Sequence, residues 1–374
     1  MPNNRMSTNR IAIVHERLTE VAGSEHVIEQ LALQWPDAEV YTSIARPEGV
    51  PSGLVRPPRT TYLDSLYHGV LKEKSYAPLM PLMPRAFRNL RFDSVDAVIA
   101  SHHAFATQAA MATDAPVIAY VHSPARWAWD PSLRAGEGGG KAGEAILTAL
   151  SVIAKRGETK AAPRLRTIVA NSTAVAGRIS DWWHRDSVVV PPPVDTEGFT
   201  PDPSIEREDF FLLAGRLVPY KRPDLAIRAA AAAGVPLVVA GDGRSMKICQ
   251  DAAGPKTTFL GRVSHEKLLD LHRRTRALLM PGIEDFGIVP VESMATGTPV
   301  IALGEGGAID SVVPGVTGEH VEPGSDQQIV DRFASSMRSF DPAQFDPVAI
   351  RQWAEGFSRM NFRRRMQEVV DAAV

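Results

Sequence analysis

Short apolar, β-branched runs alternate with longer helix-compatible segments, and the alternation passes through this chain twice. The first series is IAIVHE (11–16), VYTSI (40–44), AVIASH (97–102), VIAYVH (117–122), TIVAN (167–171) and SVVVP (187–191). The second is FFLLAG (210–215), PLVVAG (236–241), TTFLG (257–261), RALLMP (276–281) and PVIALG (299–304). Apolar runs joined by helical crossovers form parallel sheets covered on both faces, so the fold class is α/β. Five prolines between 191 and 203 separate the series, and their fixed φ and missing amide hydrogens prevent a continuous helix or central strand there.

At 374 residues the chain can bury two cores. The expected architecture is two Rossmann-like domains facing across a cleft, the N-terminal one over 10–193 and the C-terminal one over 194–354. FSRMNFRRRMQEVV (357–370) reads as an amphipathic basic helix, so 355–374 is expected to fold back and complete the first domain. Open α/β sheets bind ligands at the C-terminal ends of their strands, which places function on the loops that follow strands.

Composition narrows the partners. Forty-one Lys and Arg against forty-three Asp and Glu give a formal net charge of -2, and no basic field points to nucleic acid. Cys249 is the only cysteine, which excludes an intrachain disulfide framework and suits a reducing cytoplasm. No apolar run approaches the ~20 residues that span a bilayer. The polar start MPNNRMSTNR has no apolar signal core and reads as a disordered lead-in.

Three motifs fail on inspection. Gly241-Asp-Gly243 begins like a dinucleotide fingerprint, but Met246 stands where its third glycine belongs. GEGGGKA (136–142) is not a P-loop, because Ala135 holds the first glycine position and Ala142 follows the lysine; 136–140 is a surface loop or an acceptor-side lid. His15-Glu16 lacks the second histidine of a zinc protease helix, and no metal site is expected.

GIEDFGIVPVE (282–292) carries more information. Pro290 favours a first helical turn, which starts a helix near Val289 and places Glu292 within that turn; Gly297 stops it before PVIAL. The amides of Phe286, Gly287 and Ile288 then point out of the helix N-terminus, where peptide dipoles favour an anion. Glu284 stays in the loop after RALLM, where its carboxylate can accept hydrogen bonds from sugar hydroxyls, and Glu292 can reach a second polyol such as ribose. Singly, Glu292 also fits a helix-dipole partner and Glu284 a solvated loop acid. Together, around a glycine at a helix start, they fit a nucleotide-sugar with its diphosphate between them.

This segment resembles the two-glutamate signature of retaining glycosyltransferase family 4, whose members have the GT-B fold. GRLVPYK (215–221) is similar to the family's basic diphosphate loop, and the resemblance implies that Arg216 and Lys221, beside Gly215, neutralise the leaving diphosphate. GDG with Gly241 and Gly243, FLGRV with Arg262 and Val263, and PPPVD (191–195) extend the resemblance over nearly the whole chain, and it implies donor contacts at those positions. YVHSPARWAWD (120–130) resembles the family's strand-end histidine loop, which implies that His122 lies near the transferred sugar. VAGSE (21–25) departs from the double glycine of many relatives; Gly23 remains to admit a phosphate or acceptor, while Ser24 alters the loop. PLMPRAF (81–87) and YKRPDLAI (220–227) are similar to bacterial mannosyltransferases of polysaccharide assembly.

The resemblance therefore implies retaining transfer of a hexose, with mannose from GDP-mannose as the expected donor, to a hydroxyl of a glycolipid or oligosaccharide, with no cofactor and no metal required. A nucleotide-sugar 2-epimerase and a non-catalytic nucleotide-sugar-binding protein are the alternatives. Residues 67–91 mix apolar positions with Lys72, Lys74, Arg85, Arg88 and Arg91, which fits either peripheral contact with the inner face of an anionic membrane and a lipid-linked acceptor, or an ordinary packed helix pair.

Overall fold

The computed structural model describes residues 9–131 and 141–374. The lead-in before residue 9 and the glycine loop 136–140 lie outside the described residues. The chain divides into two compact units, one running to Pro193 and joined by Phe362–Val374, the other Val194–Asn361.

The first unit contains β1 (Ile11–His15), β2 (Glu39–Thr42), β3 (Arg59–Thr60), β4 (Ala97–His102), β5 (Val117–Val121), β6 (Thr167–Ala170) and β7 (Val188–Val189). They form one parallel sheet in the order β3-β2-β1-β4-β5-β6-β7, with Ile13 opposite both Val40 and Ile99. Side-chain alternation divides β1 between two cores: Ala12 and Val14 face one, Ile11 and Ile13 the other. The terminal helix Arg359–Ala373 covers the second face, burying Phe362, Met366, Val370 and Ala373 beside Ile11, Ile13 and Tyr120. That spacing is one helical stripe.

The second unit contains β8 (Phe211–Ala214), β9 (Leu237–Ala240), β10 (Thr257–Gly261), β11 (Leu278–Met280), β12 (Val300–Leu303) and β13 (Gly318–Val321) in the parallel order β10-β9-β8-β11-β12-β13. Strand order reverses between β1 and β4 in one unit and between β8 and β11 in the other, and such switch points open crevices beyond the strand ends. Both candidate sites lie there.

Two features differ from the sequence expectation. Residues 355–361 were expected with the first domain but belong to the second unit, because Val194 N–H donates to Phe357 O at 2.9 Å and the Phe357 ring lies 5.5 Å from Phe286. Only from Phe362 onward does the helix offer side chains to the first core. The edge strands β3 and β13 carry no long apolar run: β3 is two exposed residues, and β13 reads Gly-Glu-His-Val.

Candidate active site

In the second unit, the helix Ile288–Ala295 begins one residue before the expected Val289, with Gly287 as its N-cap at φ +89°, so Glu292 lies just beyond its first turn rather than within it. A side chain at 287 would be strained there, and a Cβ would stand 2.7 Å from Met280 Cε. The glycine is therefore demanded by the turn and by β11 beneath it, independently of any ligand. Phe286 is buried against the core and Ile288 packs partly on it, so their amides, not their side chains, serve the helix entrance. Gly241 has a similar internal cause: a Cβ would lie 1.9 Å from Gly215 O, because the turns after β8 and β9 touch. Gly243 N–H donates to Asp242 Oδ1 at 2.7 Å within the same turn.

A hollow beyond the ends of β8 and β11 is lined by Gly215, Arg216, Lys221, Gly282, Glu284 and Val289. Lys221 Nζ donates to Glu284 Oε1 at 2.8 Å, with 18% and 19% of the two side chains exposed. The cation expected at the diphosphate and the acid expected at the sugar thus hold each other in the free protein. Arg216 is exposed on the rim, with no carboxylate partner among the described residues. Arg262 is exposed just after β10, and Val263 packs partly on the core.

Glu292 is half-buried, and its carboxyl is pushed up to about 7, chiefly because burial strips water from the charged form and secondarily because of Asp195; Lys221 and Arg359 act in the opposite sense. Asp195, from the proline-rich crossover, accepts from Gly198 N–H at 2.9 Å and pairs with Arg359 at 3.2 Å. Sequence reasoning quoted Asp195 only within PPPVD. Asp195 raises the Glu292 carboxyl, while its ion-pair partner Arg359, more than 150 residues away in the chain, lowers it.

In the first unit, His122 follows β5 and is 8% exposed. Its Nε2 lies 2.8 Å from Ser101 Oγ, and the His103 ring stacks on it at 4.4 Å. Ser101 Oγ also meets His15 Nδ1 at 3.0 Å, and His15 Nε2 meets Glu25 Oε1 at 3.2 Å. Burial, followed by the neighbouring histidines, pulls His122 well below the usual imidazole range, and burial with His15 brings His103 to about 3. Gly23 opens the helix Gly23–Gln34. Ser24 Oγ donates to Glu25 Oε2 at 2.9 Å, as does Ala22 N–H at 3.0 Å, so the departure from a double glycine supplies a hydrogen bond that fixes the loop.

His15, Glu25, Ser101 and His103 were not identified as site residues. The available signal was positional, since His15, Ser101, His103 and His122 all stand at or just past the C-terminal ends of adjacent strands. Glu16 belongs to the same surroundings: one carboxylate oxygen accepts amides of His103, Ala104, Phe105 and Ala106, which fixes the loop after β4. Among the described residues no cluster of His, Cys, Asp or Glu could hold a metal, and no helix is long and apolar enough to cross a membrane. Cys249 is buried, and desolvation raises its thiol to about 11.

Two parallel-sheet units with crevices at their switch points are the GT-B glycosyltransferase fold. Solved structures agree: Anabaena HepE in complex with UDP and glucose aligns with TM-score 0.71 at 17% identity, over 97% of this chain and 100% of that one. Sucrose-phosphate synthase from Thermosynechococcus elongatus gives 0.70 at 16% identity, over 97% and 98%. Residues 21–198 match the family described as Glycosyltransferase Family 4, and residues 196–342 match that described as Glycosyl transferases group 1. Among curated proteins, D-inositol 3-phosphate glycosyltransferase of Mycobacterium avium is 31% identical over 211 residues, 50% of each chain. That of Mycolicibacterium smegmatis is 35% identical over 155 residues, 36% of each. The chain spans about half, or less, of the length of these curated relatives.

Proposed function

We propose that the protein transfers a hexose from a nucleotide-diphosphate sugar to a hydroxyl of a glycolipid or oligosaccharide, with retention of anomeric configuration. The observation that carries the reading is the Lys221–Glu284 pair beside the helix entrance at Gly287. On donor binding, Lys221 and Arg216 turn to the diphosphate, the helix amides add their dipole, and Glu284 is released to sugar hydroxyls. Glu292 receives the ribose. Catalysis in this reading is positioning together with stabilisation of the departing diphosphate, which supplies the charge balance without a metal. His122 meets a sugar hydroxyl.

For the donor we retain GDP-mannose, on the motifs PLMPRAF and YKRPDLAI. HepE is described with UDP and glucose, which makes UDP-glucose the control that matters. Thermal shift with GDP-mannose, UDP-glucose and UDP-N-acetylglucosamine tests the donor, since a ligand bound to the native state raises its melting temperature. Equal or greater stabilisation by a UDP-sugar removes mannose and leaves the rest standing. NMR of the product tests stereochemistry: an α-linked donor yields an α-glycoside, and a β-glycoside refutes retention. Conversion of the donor without acceptor would identify an epimerase instead.

A further inference from the structure

Four buried side chains of the first unit form one unbranched line: Glu25 Oε1 to His15 Nε2 at 3.2 Å, His15 Nδ1 to Ser101 Oγ at 3.0 Å, and Ser101 Oγ to His122 Nε2 at 2.8 Å. A serine hydroxyl has one hydrogen, so Ser101 donates to one histidine and accepts from the other. The far end of the line decides which. Burial alone would raise the Glu25 carboxyl, but its hydrogen bonds outweigh burial and keep it ionised: Oε1 meets His15, and Oε2 accepts from Ser24 Oγ at 2.9 Å and Ala22 N–H at 3.0 Å. An ionised carboxylate only accepts, so His15 carries its hydrogen on Nε2.

A protonated His15 would also donate from Nδ1 and reverse the line, so the order of donors set by Glu25 is that of the neutral form. When His15 is neutral, its other nitrogen, Nδ1, is a lone pair. Ser101 must then donate to His15, its oxygen must accept, and His122 Nε2 must carry the hydrogen that it accepts. His122 is left with its lone pair on Nδ1, an atom with no hydrogen-bond partner among the described residues. The stacked His103 ring and the loop fixed by Glu16 hold the His122 ring plane, so the free nitrogen has one direction.

We propose that Glu25, His15 and Ser101 are positioning residues that set the tautomer of His122, presenting its Nδ1 as an acceptor for a hydroxyl of the bound sugar. The sugar contact rests on the function proposed above; the tautomer does not. A hydrogen-bond-accepting imidazole selects a substrate hydroxyl that can donate and disfavours an analogue in which that hydroxyl is replaced by hydrogen or fluorine.

The test is nitrogen-15 NMR of the full chain labelled at histidine, at about pH 8, above the ordinary imidazole range, with His122 assigned by its loss in His122→Gln. The expected spectrum shows a protonated Nε2 and a bare Nδ1 for His122. A hydrogen on Nδ1 overturns the proposal. Ser101→Ala should shift both His122 nitrogens and lower kcat/KM about tenfold, the worth of one hydrogen bond; unchanged nitrogen signals in a folded variant also overturn it. If Ser101→Ala fails to fold, the wild-type spectrum still decides the direction. Adding a nucleotide-sugar that binds by thermal shift should move the Nδ1 signal, and an unmoved signal refutes the sugar contact. Absence of binding by every nucleotide-sugar tried defeats the functional reading, while the free-protein spectrum separately decides the tautomer.

Discussion

Replacing Glu292 by glutamine should stabilise the protein and weaken its nucleotide-sugar site together. The carboxyl is displaced from 4.5 to about 7, with burial as the largest cause and Asp195 as the second, against Lys221 and Arg359. A tenfold change in proton affinity corresponds to about 1.36 kcal/mol, so folding disfavours the ionised form by about 3 kcal/mol. A folded value raised above the unfolded one contributes stability that is fully present below 4.5 and lost as pH rises through about 7. Glutamine keeps the shape and never ionises. Glu292→Gln should therefore unfold like the wild type near pH 4.5 and resist denaturant by up to about 3 kcal/mol more near pH 8. Denaturant unfolding at the two pH values, with the second-unit transition fitted separately, measures this difference. Donor affinity should fall about tenfold, because a neutral amide is a weaker acceptor for ribose hydroxyls. A stability difference that stays constant with pH, or a variant less stable near pH 8, would refute the reasoning.

Lys221→Ala should fold, lose less than about 1 kcal/mol because the ion pair is partly solvated, and reduce turnover by about 100-fold or more; a wild-type rate would return Lys221 to a purely structural pairing with Glu284. Excess chelator should leave turnover nearly unchanged, and complete loss restored by manganese would contradict the assignment of diphosphate charge to Arg216 and Lys221. In residues 67–91, Lys72, Lys74, Arg85 and Arg91 are exposed with Val70 and Leu82, whereas Arg88 turns to Gln108 Oε1 at 2.8 Å. Sedimentation with anionic vesicles at low salt should show binding that charge reversal at Lys72, Lys74, Arg85 and Arg91 abolishes, and no binding would leave this segment as packing alone.

Much of the fold was legible because its determinants are local. A buried parallel strand must be an apolar run, and every run read from the sequence contains a strand, with ends shifted by a residue or so. Pro290, Gly287 and Gly297 bracket their helix through φ preferences that belong to the residues themselves. Edge strands need not obey this rule: β7 and β10 still carry Val- or Thr-rich runs and were legible, whereas β3 and β13 carry no apolar run and were missed. The terminal helix was legible as an amphipathic stripe, but only packing decided that 355–361 stay with the second unit.

For the site, sequence supplied the residue types and tertiary structure supplied their partners. Glu284 and Lys221 stand 63 residues apart, and nothing local announces that they bond to each other. Glu292 is an ordinary helix acid in sequence; its carboxyl rises only because the folded surroundings strip water from it and the crossover brings Asp195 near. Ser101 and His122 meet because β4 and β5 are parallel neighbours, with Ser101 opposite Tyr120 two residues earlier. A hydrogen's position on His122 is a property of four side chains from two strands, the loop after a third and one helix. The alternating runs determine that those strands form; only their order in the sheet makes the line.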